Sequence, residues 1–141
     1  MKKFFATLAL STALIGLPAF AANLIIPKSV SVHSVNGERL GGQVRQLELE
    51  AGTQVLEVRY QEGFRSQGDE FEVFRSQPVY LTFDINADQQ LQLSHKDVKN
   101  YLQAKDFAQA PSFVLLENGE QQALEQVNHD QMMYQFALGQ H

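Results

Sequence analysis

The feature that most constrains this chain is an alternation of apolar and polar side chains with a period of two, broken by tight-turn residues. Val30 and Val32 alternate with Ser29, Ser31 and His33, and Leu47 and Leu49 with Gln46, Glu48 and Glu50. Leu56, Val58 and Tyr60 alternate with Glu57, Arg59 and Gln61. Val79, Leu81, Phe83 and Ile85 alternate with Tyr80, Thr82 and Asp84, and Leu91 with Leu93 continues the pattern. Successive side chains of a strand point to opposite faces, so this grammar gives strands with one face on a core and one in water. Asn36-Gly37 and Asn118-Gly119 read as hairpin turns, because both residue types tolerate positive φ. Gly41-Gly42 and Ala51-Gly52 are further breaks. The polar, glycine-punctuated stretch from Gln61 to Asp69 reads as a loop, and Phe71 and Val73 as the start of a strand that Pro78 limits.

The pattern changes after Leu93. Ser94-His95-Lys96-Asp97 has the form of a capping box, and Val98, Tyr101, Leu102, Ala104 and Phe107 have helical spacing. Together they predict a helix near 95–108, closed before Pro111. Phe113 to Leu116 predicts a strand; Met132, Met133, Phe136, Ala137 and Leu138 predict a short C-terminal helix or a partner-facing tail. Six or seven short strands with one or two short helices give the expected fold class: mainly β, an antiparallel β-sandwich-like single domain over 22–141. The echo of Phe-Arg-Ser-Gln at 64–67 and 74–77 is too short to signal a repeat architecture.

The N-terminus has a different grammar. Lys2 and Lys3 precede an apolar run from Phe4 to Leu17, and Pro18 is followed by Ala19-Phe20-Ala21. A basic start, a short apolar stretch and small residues at Ala19 and Ala21 predict a cleavable signal peptide over 1–21, with a new terminus at Ala22. The run is shorter than the ~20 residues that span a bilayer. The expectation is therefore a periplasmic protein with no stable membrane insertion after cleavage. The chain has no cysteine, so no disulfide supports the fold and burial must carry it. Its net charge of −5, more acidic still without the leader lysines, argues against a nucleic-acid partner and against attraction to anionic lipid.

Chemistry-bearing motifs are sparse. His33, His95, His129 and His141 have no metal-ligand spacing, and no nucleophile motif or phosphate-binding glycine loop occurs. The expectation is a protein without catalytic residues, metal or cofactor. Two features suit binding. Tyr60, Phe64, Phe71, Phe74 and Tyr80 crowd into one region, with Arg59, Arg65 and Arg75 beside them. Of these, Tyr60, Phe64, Arg65, Phe74, Arg75 and Tyr80 are the candidate binding residues, through aromatic stacking and carboxylate contacts. The second feature is the sheet edges, where a β-rich partner can add a strand. The expected partner is an exported protein subunit or an envelope component such as carbohydrate or peptidoglycan.

Several segments in fixed order carry a likeness. They are Asn23-Leu24-Ile25-Ile26-Pro27, Val30-Ser31-Val32 and Val35-Asn36-Gly37; Gln46 through Tyr60; Ser76-Gln77-Pro78-Val79-Tyr80-Leu81-Thr82-Phe83; and Ala108-Gln109-Ala110-Pro111 with Phe113 through Gly119. Over most of 23–119 the chain resembles the YccT-like family of exported bacterial proteins of unknown function. The resemblance implies a periplasmic protein with no enzymatic activity. The name "curli synthesis inhibitor" that goes with that family implies interference with extracellular amyloid-fibre assembly. No functional residues carry over from it.

Overall fold

The computed structural model describes residues 21–139. In chain order the strands are β1 (Ala21–Ile25), β2 (Val30–Val35), β3 (Glu38–Arg39), β4 (Gln46–Glu50), β5 (Gly52–Arg65), β6 (Phe71–Arg75), β7 (Val79–Ile85), β8 (Gln89–Ser94), β9 (Val114–Glu117), β10 (Glu120–Gln122) and β11 (Glu125–Asn128). The helices are α1 (Tyr101–Gln109) and α2 (His129–Leu138). One sheet has the order β10-β9-β8-β1-β4, the other β11-β7-β5-β2-β3, and β6 pairs with the far end of β5. Every pairing is antiparallel except β1 with β8. This is the mainly β, sandwich-like architecture that the alternation predicts. It has more strands than expected, because β3, β10 and β11 are too short to show a period and β1 overlaps the end of the expected leader in sequence.

The core sits between the sheets. Leu56, Val58 and Tyr60 of β5 and Val79, Leu81, Phe83 and Ile85 of β7 are buried, as their alternation requires, and Leu24, Leu91, Leu93, Phe113 and Leu115 join them in one cluster. Each such aliphatic side chain contributes about 1.5–3 kcal/mol on leaving water. Both Asn-Gly turns have positive φ at both residues, 52° and 84° at Asn36-Gly37 and 51° and 82° at Asn118-Gly119. That is the geometry whose twist matches a two-residue hairpin. Asn36 does more than turn: its Oδ1 accepts from the Val55 N–H at 2.7 Å and its Nδ2 donates to Gln54 Oε1 at 2.9 Å, pinning the β2–β3 hairpin to β5. Gln126 of β11 closes one flank by bonding both main-chain groups of Phe113, donating to its carbonyl at 2.8 Å and accepting from its N–H at 2.7 Å.

Two local expectations are corrected. The helix starts at Tyr101 and not near 95. Ser94 still belongs to β8, opposite Val114, and the cap is Asn100, whose side chain accepts from the Gln103 N–H at 2.9 Å. An extended residue already in a ladder cannot also enter a helix. The stretch from Gln61 to Asp69 is not a loop. Gln61 to Arg65 continue β5, because β6 pairs with them residue for residue, with Glu62 and Phe64 at the bonded positions. The turn proper is shorter, with Asp69 at φ 65° and the Ser66 hydroxyl donating to the Glu70 carbonyl at 3.2 Å. The C-terminal helix is present; its cap is Asn128, in a capping box with Gln131. Residues 1–20 of the expected leader, with Ala19, lie outside the described residues. Ala21 and Ala22 form the start of β1, and Ala22 is buried. Among the described residues no helix is long and apolar enough to cross a membrane.

Candidate binding site at the end of the long strand

β5 outruns its sheet. Val58 lies opposite Val79 of β7, and Val79 opposite Asn128 of β11, so these strands share one end of the sandwich. Beyond that line β5 runs on to Arg65 with β6 as its companion, and α2 starts at His129. Helix α1 packs on β5 and β6 here, with the Phe107 ring edge-on to Tyr60 at 4.8 Å. The β1–β2 turn ends at the same pole, where the Ser29 carbonyl accepts from the Gln61 N–H. The large apolar side chains that are exposed among the described residues, Val55 apart, sit on these elements: Ile25, Phe71, Val73, Leu102, Met133, Tyr134, Phe136 and Leu138. Phe71 is 69% exposed.

The ribbon has two unlike faces. Tyr60, Glu62, Phe64, Glu72 and Phe74 share the face that α1 covers, which explains why Phe64 and Phe74 are half-buried. Arg59, Gln61, Gly63 and Arg65 of β5 share the other face with Phe71, Val73 and Arg75 of β6. Arg75 Nε donates to Gln61 Oε1 at 3.1 Å; Arg65 makes a loose, exposed pair with Asp69 at 3.7 Å. Arg59 Nε is buried with no partner among the described groups. Tyr80 lies on this outer face, further along the sheet on β7, opposite Glu57 of β5.

The free edge of β6 is set by register. The Ser76 N–H donates to the Tyr60 carbonyl and the Ser66 N–H to the Glu70 carbonyl. In an antiparallel pair such bonded positions alternate with unbonded ones. The main-chain groups of Phe71, Val73 and Arg75 therefore point away from β5, and no strand pairs with β6 on that side among the described residues. The other sheet edges are less open. β4 carries Glu48 and Glu50, charges that discourage pairing, β3 and β10 are very short, and β11 is held by Gln126.

The six sequence candidates thus divide. Arg65 and Arg75 are exposed on the open face, Phe64 and Phe74 support it from beneath, and Tyr80 stands apart. Tyr60 is completely buried and is a core residue. Its hydroxyl donates to Glu62 at 2.8 Å. Burial, then the bond to Glu62 and its negative charge, pushes the phenol well above its ordinary range. Sequence reasoning missed Gly63, which the loop reading hid, and Val73, which it read only as part of a strand; it counted Phe71 in the aromatic cluster but not among the six candidates.

A second polar arrangement lies nearby. His95 Nδ1 faces the Lys96 carbonyl at 2.7 Å, and a carbonyl only accepts, so Nδ1 carries the proton. In the neutral ring Nε2 then accepts from the Ser29 hydroxyl at 2.6 Å. With Phe107 and Phe113 against the ring, this bond ties the β1–β2 turn to the end of β8. At the opposite pole, Phe83, Asp84, Gln89, Leu115 and Leu124 line an open cavity of about 620 Å³ between the sheets. Among the described residues no three His, Asp or Glu side chains converge as metal ligands do.

Comparison with known proteins adds a family. Residues 23–139 match the family model described as "Uncharacterized protein conserved in bacteria (DUF2057)". The chain is similar to a UPF0319 protein of Vibrio parahaemolyticus, 32% identical over 119 residues, covering 77% of this chain and 57% of the relative. It is also similar to a UPF0319 protein of Shewanella baltica, 31% identical over 102 residues, covering 69% of this chain and 44% of the relative. The chain thus spans about half the length of the curated relatives it matches. No solved structure matches it.

Proposed function

We propose a function from the premise that this chain belongs to the uncharacterised bacterial family DUF2057. It is an exported, non-catalytic binding protein of the periplasm that holds β-rich or unfolded exported subunits at the β5–β6 ribbon. By occupying their strands it restrains the assembly of surface fibres of the curli type. The observation that carries this reading is the open edge of β6, with the exposed Phe71 and Val73 side chains beside it. An unpaired edge offers main-chain hydrogen bonds to an extended chain, and flanking apolar groups supply burial. The apolar side chains of α1 and α2 at the same pole, Met133 among them, suit a partner without fixed shape, because methionine repacks at low cost. The resemblance to the YccT-like family supplies the fibre as target.

The test is a fibrillation time course of an amyloid-forming exported subunit with equimolar full chain. A lengthened lag supports the reading, and an unchanged lag removes it.

A further inference from the structure

Resting on that reading, we infer that the β6 edge selects an extended segment carrying one acidic and two apolar side chains at alternate positions. The open face of the ribbon is basic on an otherwise acidic protein. Arg59, Arg65 and Arg75 all lie on it, whereas Glu62 and Glu72 of the same two strands lie on the face that α1 covers. Glu57 also lies on the open face, further back along β5, where it accepts a hydrogen bond from Ser34 at 3.3 Å. An added strand would place alternate side chains beside Arg75, Val73 and Phe71, about 6.6 Å apart along the chain. The complementary order is an acidic residue beside Arg75 and apolar residues beside Val73 and Phe71, at i, i+2 and i+4, or the reverse for the opposite strand direction. Carboxylate and guanidinium pair with two parallel bonds, so Arg75 fixes the register as well as the charge. A basic residue at that position would face Arg75, a repulsion that rejects the wrong segment.

The experiment is a fluorescence-anisotropy titration of the full chain with dye-labelled nonapeptides. One carries Glu, Val and Phe at alternate positions among threonines; the second has Lys for Glu; the third has the same composition with Glu, Val and Phe consecutive. We expect the second and third to bind about tenfold or more weakly than the first. Val73→Pro removes an N–H that points away from β5, so the ladder survives and binding of the first peptide falls by about tenfold. Should that variant not fold, N-methylation of the peptide's alternate amides tests the same edge on the unaltered protein and is expected to weaken binding equally. Equal affinity for the Glu and Lys peptides, or for the alternating and consecutive ones, overturns the inference. A lengthened fibrillation lag alongside such equality would leave the capture of β-rich chains standing, whereas an unchanged lag would remove that reading itself.

Discussion

The ring of Phe71 lies across Gly63, its diagonal neighbour on β5, so closely that a methyl group at position 63 would strike it. Glycine in a strand interior leaves no side chain to pack, and an aromatic ring from the next strand covers the gap. The tip of the Phe71 ring is thereby seated over Gly63 while most of the residue stays in water. Gly63 does not have a left-handed backbone, so alanine suits its conformation. Gly63→Ala is expected to change stability by less than about 1 kcal/mol. It displaces the exposed ring and should weaken partner binding by about 1 kcal/mol, roughly fivefold. Thermal melting and anisotropy separate the two effects.

Gly119 closes the β9–β10 hairpin at φ 82°. A side chain there is strained even though nothing crowds the position. Gly119→Ala should cost about 1 kcal/mol or more of unfolding free energy, read from urea midpoints. Binding at the ribbon should not change.

Leu81 is fully buried between the sheets, opposite Leu56. With no disulfide to limit the unfolded chain, the core carries the fold. Leu81→Ala should cost about 2–5 kcal/mol in a urea titration.

Tyr60 gives the pH dependence its sign. Its phenol loses its proton less readily in the folded chain than at the ordinary value of about 10 in the unfolded one, chiefly through burial and then through Glu62. The unfolded state therefore binds fewer protons above that pH, and the stabilisation is present below about pH 10 and lost as pH rises beyond it. Urea midpoints of the unaltered chain should fall above about pH 10, more steeply than those of Tyr60→Phe.

Much of the fold was legible because period-two burial leaves a direct trace in the sequence. Leu56, Val58 and Tyr60, and Val79 through Ile85, sit where their alternation places them, and both Asn-Gly turns have the backbone that pair suggests. The candidate binding region was legible only in part. Apart from Phe64, Gln61 to Arg65 are polar or glycine because that stretch of β5 leaves the sandwich, and a strand outside the core has no apolar period to display. Phe71 and Val73 have the composition of core residues, and only the register shows them facing out. The cap at Asn100 was hidden by Ser94, which has the right chemistry but belongs to β8.

The most direct test of the central claim is hydrogen exchange at the main-chain amides of Phe71, Val73 and Arg75, with and without a β-rich exported subunit. These N–H groups point away from β5, so they should exchange freely in the isolated chain and slow by about tenfold or more in the complex. Unchanged exchange at these three amides, with protection appearing instead along the Gln46–Glu50 edge or at no site, would contradict the account.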